Sequence, residues 1–214
     1  PFGTEAYPVG YVSDIGQRAR ENEDMLLVVQ GLCVTLPPPP HPFSLFAVAD
    51  GLHGNQGKSA GGYEASRLAI ETVADVLIPQ LSTSVPTSSR TGSVPSSSER
   101  QPRRTLPKPP SSEAILEQWT HDAVRQANQV IYHCNADYDT TMASTLTVAV
   151  TYKQHLYVAS VGDSRAYHYS PTKGLRLLTQ DYTTGSSPHQ PINTADTSSK
   201  RHQHYLGQNY RIII

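Results

Sequence analysis

Two stretches of helical periodicity, separated by a run that cannot join a core, constrain this chain more than any other feature. In "YEASRLAIETVADVLIPQL" (63–81), Ala65, Leu68, Ala69, Val73, Val76 and Leu77 recur at helical spacing, with Glu64, Arg67, Glu71 and Asp75 on the other face. Pro79 is expected to stop this helix. In "SSEAILEQWTHDAVRQANQVIYHCN" (111–135), Ile115, Leu116, Trp119, Ala123, Ala127, Val130 and Ile131 repeat the pattern, and Ser111 or Ser112 can cap the start. From about Ser82 to Ser111 the chain is rich in Ser, Pro and Arg and almost free of large apolar groups. Such a run cannot bury enough surface to offset its ordering entropy. It predicts a disordered insertion joining an antiparallel helix pair.

The remainder is strand-like. "STLTVAVTY" (144–152) alternates Leu146, Val148 and Val150 against threonines and alanine, and "HLYVASVGDSRAYHYS" (155–170) follows a Lys153-Gln154 turn. "GYVSDIG" (10–16) and "EDMLLVVQG" (23–31) read as further strands, and "CVTLPPPPHP" (33–42) as a polyproline connector. Strands, two helices, then strands predict an α+β fold: an antiparallel β-sandwich flanked by the paired helices. At 214 residues, 1–214 is read as one domain. A formal charge of -1 supplies no field for nucleic acid or a membrane surface. No apolar stretch reaches the roughly 20 residues of a bilayer span. The N-terminus lacks both a secretion-signal pattern and an initiator methionine. Cys33 and Cys134 have no metal-type spacing and fit a reducing cytoplasm.

Three acidic patches share one style, an acid beside a strand with small or basic neighbours: "RARENED" (18–24), "VADGLHG" (48–54) and "VGDSRAY" (161–167). Each alone reads as an ordinary turn or strand entry. Together, carboxylates gathered this way repel one another unless a cation sits among them. Hard oxygen donors suit magnesium or manganese, and a water held between two such ions becomes a nucleophile near neutral pH. That chemistry suits attack on a phosphate ester, with an arginine clamping the phosphoryl oxygens.

In their order, four segments resemble the metal-dependent protein serine/threonine phosphatases of type 2C, in their bacterial form: "SDIGQRARENED", "LFAVADGLHG…GGYEASRLAIETV", "MASTLTVAV" and "LYVASVGDSRAYHYS…GLRLLTQDYT". They span most of residues 11–184 outside the insertion. The resemblance implies hydrolysis of phosphoserine and phosphothreonine in proteins by a cytoplasmic, monomeric enzyme with two, or three, Mn2+ or Mg2+ ions. The substrates it implies are phosphorylated targets of serine/threonine kinases. Asp50 matches the carboxylate bridging two metals, and Gly51 the backbone carbonyl beside it. Glu23 and Asp24 match the pair reaching metal-bound waters, and Asp163 the ligand of a third, weaker metal. The phosphate-gripping arginine falls at Ala19, flanked by Arg18 and Arg20, of which Arg20 is preferred. Either arginine could instead pair with Glu21 or Glu23 on the surface.

Some residues depart from the family pattern. "LHGN" replaces the usual glycine pair, placing His53 near the expected metals, where it either donates a proton to the leaving alkoxide or simply packs in the loop. Ala143 stands where the family prefers glycine. After "LTQDYT" the chain suggests a short flap and a Leu206-Gly207 landmark, without a second Asp-Gly pair to furnish two further aspartates. The expectation is therefore a C-terminally incomplete domain, weakly active or inactive by itself. The alternative is a non-catalytic relative serving in binding or regulation.

Overall fold

The computed structural model describes residues 8–17, 21–34, 36, 39–52, 61–82, 111–181, 200–205 (backbone) and 211–214. Arg18, Arg20, His53, Leu206-Gly207 and residues 83–110 of the expected insertion lie outside them. Ten elements follow in order: β1 (Asp24–Cys33), β2 (His41–Asp50), α1 (Gly62–Ser82), α2 (Ser112–Tyr138), β3 (Leu146–Tyr152), β4 (His155–Val161), β5 (Tyr167–Ser170), β6 (Gly174–Leu177), β7 (Lys200–Tyr205) and β8 (Arg211–Ile213). They form a five-stranded sheet, β1-β2-β3-β4-β7, and a three-stranded sheet, β6-β5-β8. Every strand pair is antiparallel.

Side-chain alternation sets the layers. Phe43, Leu45, Ala47 and Ala49 of β2 share a core with Leu146, Val148 and Val150 of β3, with Tyr157 and Ala159 of β4, and with the helices. Phe46, Ala149, Leu156 and Val158 point to the other face, where they meet Ala166, Leu178 and Ile212 beside the smaller sheet. The register explains the sharing: Leu45 pairs with Val150, and Phe46 with Ala149, which itself pairs with Val158. β3 is buried along its whole length because it is covered on both faces.

The helices bury the predicted stripes. Ala65, Ala69, Val73, Leu77 and Leu81 of α1 face Leu116, Ala123, Val124, Ala127 and Ile131 of α2 in one core. A fully buried Leu or Ile contributes roughly 1.5–3 kcal/mol there. Ser111 is the N-cap of α2, its side chain accepting from the Ala114 N–H at 3.3 Å. α1 starts against Gly51 and ends where its Leu81 carbonyl accepts from the Val34 N–H at 3.3 Å. α2 runs the other way, ending where Asn135 holds Met142.

Two readings are corrected. Pro79 lies inside α1, which continues to Ser82. It removes one N–H bond in the last turn, while burial of Leu77 and Leu81 on either side keeps that turn attached. Residues 10–16 form no strand: the Asp14 side chain accepts the Gly16 N–H at 2.7 Å, and Gly16 takes φ 71°, which turns the chain away from extension. β6, β7 and β8, short and polar or flanked by turns, were not apparent in the sequence.

Candidate active site

The register of one hairpin places two carboxylates side by side. Pairing of β1 with β2 runs from Cys33↔His41 to Asp24↔Asp50, so the acid that opens β1 faces the acid that closes β2. The chain at both points is fixed by backbone contacts. The Gly51 N–H donates to the Glu23 carbonyl at 3.2 Å, and Ser66 Oγ on α1 donates to the same oxygen at 2.5 Å. A Cβ on Gly51 would stand 2.8 Å from the Glu23 carbonyl oxygen and closer still to that of Gly62. One on Gly62 would stand 2.8 Å from Glu23 Oε1. These glycines let the end of β2, the start of β1 and the first turn of α1 meet.

The third acidic segment is tied in by hydroxyls. The Asp50 N–H donates to Thr145 Oγ1 at 3.0 Å, and the Asp50 carbonyl accepts from the Thr145 N–H at 2.8 Å and from Ser144 Oγ at 2.9 Å. Thr145 Oγ1 lies 2.6 Å from Ser164 Oγ, and Thr147 Oγ1 donates to the Ser164 carbonyl at 3.0 Å. Gly162, at φ 95°, turns the chain over Thr145, with no room for a Cβ. Asp163 follows directly. "MASTL" thus acts as a bracket between Asp50 and the segment that carries Asp163. The bracket is itself held by Asn135, whose side chain donates to the Met142 carbonyl at 2.8 Å and accepts its N–H at 2.7 Å. Ala143, where glycine was the family expectation, is accommodated: its carbonyl accepts from the Leu52 N–H at 2.9 Å.

The Asp50 carboxyl is pushed up to about 6, first by partial burial, then by the charge of Asp24 and a hydrogen bond with it, and further by the charges of Asp163 and Glu23. Its tip nonetheless stays at the surface. The three other candidate acids, Asp24, Asp163 and Glu23, therefore all act on the Asp50 carboxyl. Beside it opens a cleft of about 330 Å³ that includes Asp14, Asp24, Asp50, Ser164 and Arg165 in its wall. Arg165 is held by Asp181 in a two-pronged pair at 3.0 and 2.6 Å.

Among the described residues no three His, Cys, Asp or Glu side chains are spaced as a ready metal cage. The donor chemistry still fits a hard divalent ion, because magnesium-type ions bind through one or two carboxylates and keep several waters. Like charges that raise a partner's pKa are relieved by such a cation. The sequence reading did not single out Asp14, Ser144, Thr145, Ser164 or Arg165. The three hydroxyl residues lie in quoted motifs, but only the strand register reveals what they touch.

A chain with this layered sheet and helix arrangement and this carboxylate edge belongs to the protein phosphatase 2C family, whose model matches residues 41–204, more than half of the sequence. It is by class a protein phosphatase. No curated protein matches it by sequence. Solved structures share its fold. A serine/threonine phosphatase of S. agalactiae superposes with a TM-score of 0.63 at 19% identity, over 94% of this chain and 75% of that one. The Mycobacterium tuberculosis serine/threonine phosphatase PstP/Ppp gives 0.60 at 18%, over 94% and 74%. A catalytic domain of PstP, solved in complex with 2 manganese ions, gives 0.61 at 18%, over 94% and 73%. Among the described residues no helix is long and apolar enough to cross a membrane.

Proposed function

We propose that this chain hydrolyses phosphoserine and phosphothreonine in proteins, at the cleft beside Asp50, in a reaction that depends on Mn2+ or Mg2+. The observation that carries the reading is the concentration of negative charge from Asp24, Asp163 and Glu23 on the Asp50 carboxyl, at the mouth of an open cleft. Asp50, Asp24, Glu23, Asp163 and the Gly51 carbonyl would hold the cation. Such an ion offsets the carboxylates, polarises the ester and makes water a stronger nucleophile.

The remaining roles belong to the protein. Asp50, its main chain fixed on both sides, orients the attacking water by accepting its proton in a hydrogen bond. Arg20, with Arg18 as the alternative, binds the phosphoryl oxygens in line with attack. His53 donates a proton to the departing serine or threonine oxygen. Substrates are phosphorylated targets of a serine/threonine kinase. The free thiols Cys33 and Cys134 suit a reducing cytoplasm.

The test is release of phosphate from phosphoserine and phosphothreonine peptides with excess manganese, with a phosphotyrosine peptide for comparison. Turnover of the first two that is abolished by Asp50→Asn supports the proposal. Turnover that survives Asp50→Asn or chelation sinks it. Phosphopeptide binding without any turnover would favour the regulatory reading instead.

A further inference from the structure

We infer that Ser164 is a substrate-contact residue whose hydroxyl donates to a phosphoryl oxygen in the cleft, and that Thr145 is the positioning residue that aims it. The inference rests on the phosphatase reading of the same site. It follows from counting protons in the hydroxyl bracket. Thr145 is 1% exposed, and its Oγ1 accepts the Asp50 N–H at 3.0 Å. Its only other side-chain partner among the described residues is Ser164 Oγ, at 2.6 Å. A hydroxyl carries one hydrogen, and a buried one left without an acceptor costs roughly 1–3 kcal/mol. The arrangement that satisfies Thr145 therefore has Thr145 donating to Ser164.

That choice fixes what Ser164 can do. Its oxygen is occupied as an acceptor from Thr145, so its own hydrogen must point elsewhere. Ser164 Oγ has no second partner among the described residues, while the residue itself lines the cleft beside Asp24, Asp50 and Arg165. The Ser164 main chain is held by Thr147 Oγ1, which donates to its carbonyl at 3.0 Å, and its side chain by the 2.6 Å contact with Thr145 Oγ1. A donor held on the wall of a cleft that Arg165 also lines is suited to a ligand that is all acceptor on that side. A phosphoryl group is such a ligand: its free oxygens accept only. The arrangement costs no reorganisation when phosphate arrives, since the hydroxyl direction is set by the buried bracket.

The experiment uses the full chain with manganese and measures three quantities for wild type and Ser164→Ala. These are the KM for a phosphoserine peptide, inhibition by inorganic phosphate, and manganese affinity by calorimetry. Loss of a hydrogen bond to a charged oxygen predicts about tenfold weaker phosphate inhibition and a comparable rise in KM, with manganese affinity unchanged. Thr145→Ser, which keeps the hydroxyl, should bind phosphate like wild type, whereas Thr145→Val should lose at least as much as Ser164→Ala. Unchanged phosphate inhibition in a folded Ser164→Ala protein overturns the inference while leaving the phosphatase reading intact. A parallel fall in manganese affinity also overturns it, because Ser164 would then act through the carboxylates. If Ser164→Ala unfolds, the comparison of Thr145→Ser with Thr145→Val carries the test: equal phosphate binding by the two overturns it. A wild-type protein that neither turns over nor binds inorganic phosphate, by direct titration, ends both readings.

Discussion

Carboxylates on the outer face of α1 and those at the end of β2 are the same chemical group in opposite situations. On α1, Arg67 takes Glu64 and Glu71 together, one turn to either side, and the Glu64 carboxyl is held below its ordinary value, chiefly by the Arg67 hydrogen bond. At the strand end the described charges acting on Asp50 are the like charges of Asp24, Asp163 and Glu23, and its carboxyl is driven up to about 6. Helix geometry lets a surface charge find a partner a few residues away. The hairpin register instead presses Asp24 onto Asp50 and leaves the repulsion standing. Stability alone would not retain such a cluster, which is why it marks the site.

The largest effect expected from breaking this contrast is on turnover. Asp50→Asn should lower phosphate release by at least about a hundredfold, the scale of losing a group that holds a metal site together. The same variant should melt no lower than wild type in metal-free buffer, since it removes repulsion. A metal-free melting temperature that drops by several degrees would contradict the electrostatic account.

Packing beneath the site comes next. Gly51→Ala forces a methyl group against the Glu23 and Gly62 carbonyls, and should cost about 1–3 kcal/mol in urea unfolding. Thr145→Val removes the acceptor of the Asp50 N–H and should cost about 1–3 kcal/mol. Gly174→Ala, at φ 70° with open space around it, should cost only about 1 kcal/mol from backbone strain. Equal losses for Gly51→Ala and Gly174→Ala would mean that the close approach at the strand end is not tight.

The pH dependence has opposite signs in the two regions. Asp50 is raised from 3.8 to about 6, so the folded state holds its proton more tightly than the unfolded one. Its stabilising contribution is complete below the unfolded value and disappears as pH rises through about 6. Glu64 is lowered, so its contribution is present above the unfolded value and is lost as pH falls through the folded one. Metal-free melts between pH 4 and 7 should show a decline that Asp50→Asn flattens. Protons should also compete with manganese, weakening its binding below about pH 6. The smallest effect is at the exposed pairs: Arg67→Ala should change stability by at most about 1 kcal/mol and leave turnover unchanged.

Much of this was open to a reader of the residues. The apolar stripes of both helices are local periodicities, and burial followed them; the alternation in β3 foretold the strand but not its burial, which is complete because both its faces are covered. The acidic motifs stood out because small residues flank them. Pro79 misled because a proline near a helix end ends the helix only if the following turn has nothing to bury, and Leu81 does. "GYVSDIG" misled because its alternating pattern is cancelled by an Asp14-Gly16 turn that propensity alone weighs too little. β6 and β8 are short, and β8 gains its place from pairing with β5 rather than from its own composition.

By itself the sequence determined which faces would be buried, where the strands would end on acids, and the family to which the chain belongs. Those properties depend on neighbours within a few residues. Tertiary structure alone decided that Asp24 stands opposite Asp50, that Gly51 must leave space for the Gly62 carbonyl, and that Thr145 joins Asp50 to Ser164. The physical reason is register: each contact joins segments distant in the chain, and its partners are selected only when whole strands and helices lock together around a shared core.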